Sequence, residues 1–298
     1  MTEQTPWLDE EDLVQPFFFD DIAVRGAIVR LSNSIQTVLS TQDYKTPLIS
    51  VLGESAAATS LIAHSLKFTG RLTLQLRGPG PLSMLVMQSR EDLKLRGMAL
   101  GDGVSEHLGF GELAAGAQCS VAVDSDNARE RYQGIVEVQP ASLTDSLLHF
   151  FSTSIQVPTA LVLYTDSRGA GGFLLQTLAG SDKVSESDDW MRLKLMLSTI
   201  SLEDFRNNSA VGLLRKVFAE DDLRLPDARP VNFHCECSRA KAARAIEMLG
   251  SEDARQAVKD QGRLSVSCEY CGRSRDFDTV DVAGIFAAAD QPGSSGPH

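Results

Sequence analysis

The sequence predicts an α+β protein of more than one domain, in which a mixed sheet-and-helix region leads through a helical linker to a small cysteine-bearing module. Three observations carry that prediction. Strand-like patterns come in runs and do not alternate steadily with helices, which favours α+β over a doubly wound sheet. With 298 residues, 43% of them hydrophobic, the chain is long enough for about two domains and a sizeable core. Four of its five cysteines fall in two tight pairs near the C-terminal end, Cys235 with Cys237 and Cys268 with Cys271. The expected division is residues 1–180 for the α+β domain, 181–232 for the linker, 233–288 for the cysteine module and 289–298 for a disordered tail.

In chain order, "MTEQTPWLDEEDLVQ" is acidic and lacks the basic segment and apolar stretch of a signal peptide, so a cytoplasmic location is expected. "IAVRGAIVRL" reads as a strand leading into a helix near Ser32, and "PLISVLGESAAATSLIAHSLK" has the length and apolar spacing of a helix. In "RLTLQLRGPGPLSMLVMQ", Leu72, Leu74 and Leu76 alternate with polar residues before a Gly-Pro turn and a second apolar run, the pattern of a hairpin. "CSVAVDS", "YQGIVEV", "TALVLYT" and "GGFLLQTLA" supply further strands, and "SLTDSLLHFFSTS" a helix with Leu143, Leu147 and Phe151 four apart. Apolar runs such as "TALVLYT" fall far short of the roughly 20 residues a membrane-spanning helix requires. No membrane association is predicted.

The polar stretch "SDKVSESDDW" suits a domain exit. Two amphipathic helical patterns follow, around Trp190–Ile200 and Ala210–Ala219, in a segment too small to form its own core, which must therefore lean on another part of the chain. In the cysteine module, Ser238 is placed to cap a helix running to Leu249 with Gly250 as its stop, and Ser251 to cap a second over Glu252–Lys259. "LSVSC" then reads as a strand that delivers the second pair, and "CEYCG" as a tight turn with Gly272 supplying conformational freedom.

Two close pairs of thiols from separate segments suit a four-thiolate zinc site, which needs sulfurs about 2.3 Å from the metal in a tetrahedron. Residues at i and i+2 of an extended segment face one side, so Cys235 and Cys237 can chelate together, and Cys268 and Cys271 can do so from their turn. A zinc clip that only holds a small domain together accounts for this pattern, because metal binding supplies ~10–16 kcal/mol in zinc-finger peptides. A redox switch accounts for it equally. Each pair is close enough for a local disulfide, and oxidation would remove the ligands together with the folding energy they supply. His234 is read as a bystander beside a site that four thiolates already fill, and Cys119 as an inert, packed thiol.

Other chemistry is weakly represented. A formal charge of −12 opposes nucleic-acid binding, which works by neutralising phosphates. "GESAA" at 53–57 lacks the last glycine of a nucleophile turn and lies in a helical pattern, and no phosphate-binding Gly-x-x-x-x-Gly-Lys-Ser/Thr or His-Glu-x-x-His occurs. The glycines of "RGAGGFLLQ" are read as a turn between strands. No catalytic residue is assigned, and the chain is not expected to be an enzyme. Two other readings of the cysteines stay open: a static zinc-ribbon interaction module, and a thiol–disulfide oxidoreductase using Cys268 and Cys271.

"CEC" and "CEYCG" with 30 residues between Cys237 and Cys268, and "AGGFLLQ" at 170–176, resemble the redox-regulated heat-shock protein 33 chaperones. "GPGPLSMLVM", "LRG" at 95–97 and "YQGIVEV" add looser support in the same order. The resemblance implies an ATP-independent holdase with one zinc ion per chain, held by Cys235, Cys237, Cys268 and Cys271 in the reduced, inactive state. It implies Cys235–Cys237 and Cys268–Cys271 disulfides on oxidation, with zinc loss, partial unfolding, homodimerisation and capture of unfolding clients for later hand-over to ATP-dependent foldases. Leu193, Leu195, Leu197, Ile200, Leu213, Leu214, Val217 and Phe218 of the linker are then the candidate client-binding surface. The acidic extension before Phe17, Cys119 and His234 depart from the family pattern.

Overall fold

The computed structural model describes residues 11–125, 131–178 and 182–289, so the acidic N-terminal residues 1–10 and the tail from 290 lie outside the described residues. The architecture is mixed α+β, and the chain divides into two compact units, Met1–His234 and Cys235–His298.

In the first unit the elements run β1 (Leu13–Phe19), β2 (Val24–Leu31), α1 (Asn33–Leu39), α2 (Thr46–Ser65), β3 (Gly70–Arg77), β4 (Leu82–Arg90), β5 (Lys94–Gly101), α3 (Phe110–Leu113), β6 (Gln118–Ser125), β7 (Arg131–Glu137) and α4 (Leu143–Phe150). Then come β8 (Thr159–Thr165), β9 (Ala170–Thr177), α5 (Asp188–Ser198), α6 (Leu202–Asn207), α7 (Ala210–Val217) and the short strands β10 (Leu223–Arg224), β11 (Arg229–Pro230) and β12 (Asn232–Phe233). One sheet has the order β10-β1-β2-β9-β8 with β11 also on β1, and the other β12-β5-β4-β3-β6-β7.

Helix α2 touches strands of both sheets, and burial on all sides explains its unusually uniform apolar character. Its 20 residues are long and apolar enough to cross a membrane, but 78% of its most apolar 18-residue window is buried within the fold, as befits a core helix. Pro47 in its first turn starts it, where a missing N–H costs nothing. "GESAA" lies inside this helix with Ser55 fully buried, which removes any nucleophile turn there.

The first sheet is covered on both faces. Along β2, Ala27, Val29 and Leu31 join the core that contains α2, whereas Val24 and Ile28 join a second core with Phe17, Phe173, Trp190, Leu193, Phe205, Leu213 and Phe218. The segment predicted as a linker thus finds its support on this sheet: α5, α6 and α7 form the layer over its second face. Strand β9 is buried at every residue because it lies between two covered faces.

The strand read from "GGFLLQTLA" is β9, and of the glycines in "RGAGGFLLQ" only Gly169 lies in the turn before it; a Cβ on Gly171 would come 2.7 Å from the Phe205 ring, so glycine lets α6 approach the sheet. Strand β1 has no counterpart in the sequence reading, since Pro16 interrupts its pattern. Its outer edge pairs only at the ends, Leu13 and Val14 with β11 and Phe18 and Phe19 with β10, so the Pro16 position between them needs no donor.

The second unit contains α8 (Arg239–Leu249), α9 (Ser251–Gln261), the hairpin β13 (Leu264–Ser267) and β14 (Ser274–Phe277), and α10 (Thr279–Ala289). Ser238 caps α8 by accepting from the Lys241 N–H, and Gly250 ends it at φ +98°. Ser251 does not cap the next helix; it is that helix's first residue, and Gly250 holds the cap position. Ile246, Ala254, Val258, Phe277 and Val282 form a small core, and the Arg239 guanidinium lies 4.3 Å from the Phe277 ring centre.

Candidate metal centre

The four paired cysteines converge. Cys235 and Cys237 lie in the segment between β12 and the Ser238 cap, while Cys268 follows β13 and Cys271 ends the turn toward β14. That turn is closed by N–H donation from Cys271 (3.2 Å) and Gly272 (2.8 Å) to the Cys268 carbonyl, with Gly272 at φ +64°. Register between β13 and β14 is fixed by the Leu264–Phe277, Ser265–Asp276, Val266–Arg275 and Ser267–Ser274 pairs, which hold the turn at the hairpin end.

The Sγ atoms of Cys235, Cys237, Cys268 and Cys271 all lie within 4.8 Å of one another, with Cys235–Cys268 at 3.6 Å and Cys237–Cys271 at 3.5 Å. A tetrahedron with about 2.3 Å metal–sulfur bonds has edges of about 3.8 Å, so the four thiols match a thiolate-liganded ion such as zinc in both number and spacing. Both of these approaches run across the pairs, as two chelating segments facing each other require. Burial pushes the Cys235 thiol up to about 12. Burial also opposes ionisation of Cys237, but hydrogen bonds from the other thiols and from Arg275 outweigh it and bring that group down to about 7. The cluster therefore contains one sulfur already disposed to be a thiolate.

His234 takes no part in the four-thiol group; its backbone N–H donates to the Leu95 carbonyl at 2.9 Å, continuing the β12–β5 pairing. Cys119 lies in β6 with no exposed surface, and burial pushes its thiol up to about 12. Of the linker residues singled out above, Leu193, Leu197, Ile200, Leu213, Leu214 and Phe218 face the core of the first unit and Val217 packs against it, whereas Leu195 is 67% exposed. In the state described here, seven of those eight are thus already engaged. Arg275 was not anticipated: its Nη2 lies 3.3 Å from the Cys237 carbonyl and 3.7 Å from Cys237 Sγ. The signal was the alternation in "SRDF", which puts Arg275 on the same strand face as the buried Phe277.

Comparison with known proteins agrees with this arrangement. The family model described as Hsp33 protein matches residues 12–278. A 33 kDa chaperonin from Shewanella loihica is 34% identical over 280 residues, covering 94% of this chain and 97% of the relative. One from Azotobacter vinelandii is 34% identical over 297 residues, covering 97% and 98%. Among solved structures, the 33 kDa chaperonin (heat shock protein 33 homolog) of Thermotoga maritima superposes with a TM-score of 0.78 at 20% identity, covering 94% of this chain and all of that one, which establishes likeness of fold.

Proposed function

The chain belongs to the Hsp33 chaperone family, and from that premise we propose that it is a redox-regulated, ATP-independent holdase of the cytoplasm. The observation that carries this reading is the four-thiol cluster, in which each sulfur has a partner two or three residues away along the chain and another across the cluster. A bound zinc ion, one per chain, would supply a crosslink between the Cys235–Cys237 segment and the Cys268–Cys271 turn.

Oxidation converts the four thiolates into Cys235–Cys237 and Cys268–Cys271 disulfides. For each pair, two electrons pass to one peroxide: an S–S bond forms, the O–O bond breaks, and with two protons the oxygens leave as two waters. Disulfide sulfurs no longer serve as ligands, so the crosslink is lost. A core built around Ile246, Ala254, Val258, Phe277 and Val282 is then too small to hold the module together. Unfolding of the module would be followed by release of the linker helices, homodimerisation, and binding of unfolding proteins by the apolar surface of Leu193, Leu195, Leu197, Ile200, Leu213, Leu214, Val217 and Phe218. Clients would later pass to ATP-dependent foldases.

The test compares zinc content, free thiols, circular dichroism and suppression of aggregation of a heat-unfolding protein, before and after peroxide at raised temperature. Loss of one zinc, four thiols and C-terminal helix together with a gain of holdase activity is expected. Retained zinc and an unchanged fold would instead favour a static zinc module, and turnover of a dithiol substrate an oxidoreductase.

A further inference from the structure

We propose that Arg275 is a positioning residue for the thiol cluster, donating its guanidinium to Cys237 so as to stabilise the metal-bound thiolates and retard their oxidation. The proposal rests on the metal reading above and concerns how readily the cluster opens.

Strand alternation puts Arg275 on the inner face of the β13–β14 hairpin with Phe277, which is 2% exposed, and Val266 stands opposite it in the pairing. A charged side chain placed there needs an anionic or strongly accepting partner. Two nearby arginines have carboxylates: Arg239 pairs with Asp281 at 2.7 Å and Arg263 with Asp276 at 3.6 Å. Among the described residues no carboxylate pairs with Arg275, and its polar partners are the Cys237 carbonyl at 3.3 Å and Sγ at 3.7 Å. Four thiolates around a divalent ion carry a net charge of two minus, which supplies the missing anion.

Arg275 contributes a charge-assisted hydrogen bond to the Cys237 sulfur, and charge-assisted bonds are roughly twice as strong as neutral ones. By withdrawing electron density from Cys237 Sγ it makes that sulfur a poorer nucleophile toward the O–O bond and favours the ligated form over the free thiol. Its simultaneous grip on the Cys237 carbonyl fixes the Cys-x-Cys segment in its chelating conformation.

The test uses the full chain with Arg275→Met, which keeps the side chain's bulk, and Arg275→Gln, which keeps an amide donor without the charge. Zinc affinity is measured by chelator competition, and zinc release under peroxide by a chromophoric chelator. In the cobalt-substituted proteins, the energy of the sulfur-to-cobalt charge-transfer band reports electron density on the thiolates. Both variants are expected to bind zinc about tenfold more weakly, in line with the 10–100-fold typical of outer-shell partners. They should also release it several-fold faster under peroxide and shift the cobalt band to lower energy. Unchanged affinity, release and band energy would overturn the proposal; so would faster release with an unshifted band, because that would make Arg275 a prop for the hairpin alone. A wild-type protein that takes up no zinc would overturn the metal reading itself, and is told apart by the first measurement.

Discussion

Cys119 and Cys237 have the same side chain in opposite settings. Cys119 has no exposed surface and its thiol is pushed up to about 12 by burial, so at neutral pH it is neither ionised nor reachable. Metal-free, reduced protein should therefore lose four thiols to iodoacetamide and keep the fifth until denaturant is added; mass spectrometry of the labelled peptides checks this. Two groups on α2 couple folding to pH in opposite senses. His64 is brought down from 6.5 to about 4 by burial and by the Arg229 and Arg25 charges, and its Nδ1 is buried without a hydrogen-bond partner. A base held neutral contributes stability that is complete above 6.5 and is lost as pH falls toward 4. Glu54 is raised from 4.5 to about 7 by burial, so its contribution is complete below 4.5 and is lost as pH rises toward 7. The two trends offset each other over the same interval. In Glu54→Gln the His64 trend is left alone, and stability from urea unfolding should climb by about 1–2 kcal/mol between about pH 4.5 and 6.5, after discounting for partial solvent screening, where the wild type stays nearly flat. Neither group could be singled out from the sequence, because both shifts come from neighbours that pack on α2 only after folding.

At the scale of elements, α1 and the α5–α7 layer depend most on distant partners. The sequence reading starts α1 correctly near Ser32, but the Ser32 side chain does not cap the helix. Its N-terminal N–H groups are met by Asp12: Oδ1 accepts from Ser32 N at 2.6 Å and Asn33 N at 3.1 Å, and Oδ2 from Ser34 N at 2.5 Å. Asp12→Ala strands these buried donors and should cost about 1.5–3 kcal/mol in chemical unfolding. The α5–α7 layer is held by more than apolar contact. Arg30, 2% exposed, donates to the Phe205 carbonyl at 2.7 Å, Tyr164 Oη donates to the Ile200 carbonyl, and Arg206 pairs with Asp166 at 2.8 Å. The Phe218 ring stacks within 5.2 Å of Phe19 and 5.6 Å of Phe17. Releasing this layer must break all of these together, so it will be a cooperative step. Phe218→Ala should remove about 3–5 kcal/mol of stability, speed hydrogen exchange across 188–218, and give measurable suppression of client aggregation without oxidation. If exchange there stays at the wild-type rate, α7 is not the fastening of this layer.

At the scale of the whole chain, two units of very different core size imply two unfolding events. The first has two sheets, a central helix and a second aromatic core; the second has, among the described residues, five buried hydrophobic side chains and four clustered thiols. Scanning calorimetry should resolve a transition that moves with free zinc concentration, assigned to the second unit, and another that does not. A single zinc-independent transition would contradict that division of labour. Much of this organisation is legible in local patterns. The thiols at i, i+2 and i, i+3, the leucines alternating through β3, and Ser238 at a helix start are written into a few consecutive residues, because chelation, strand alternation and capping act over that span. The linker's need for outside support is also legible, from its small size and apolar faces. Long-range packing supplied the rest: α2 buried between two sheets, Gly171 making room for Phe205, Asp12 capping a helix some twenty residues on, and Arg275 turned toward Cys237. Each of these joins residues far apart in the chain, and no periodicity within one segment can name a partner in another.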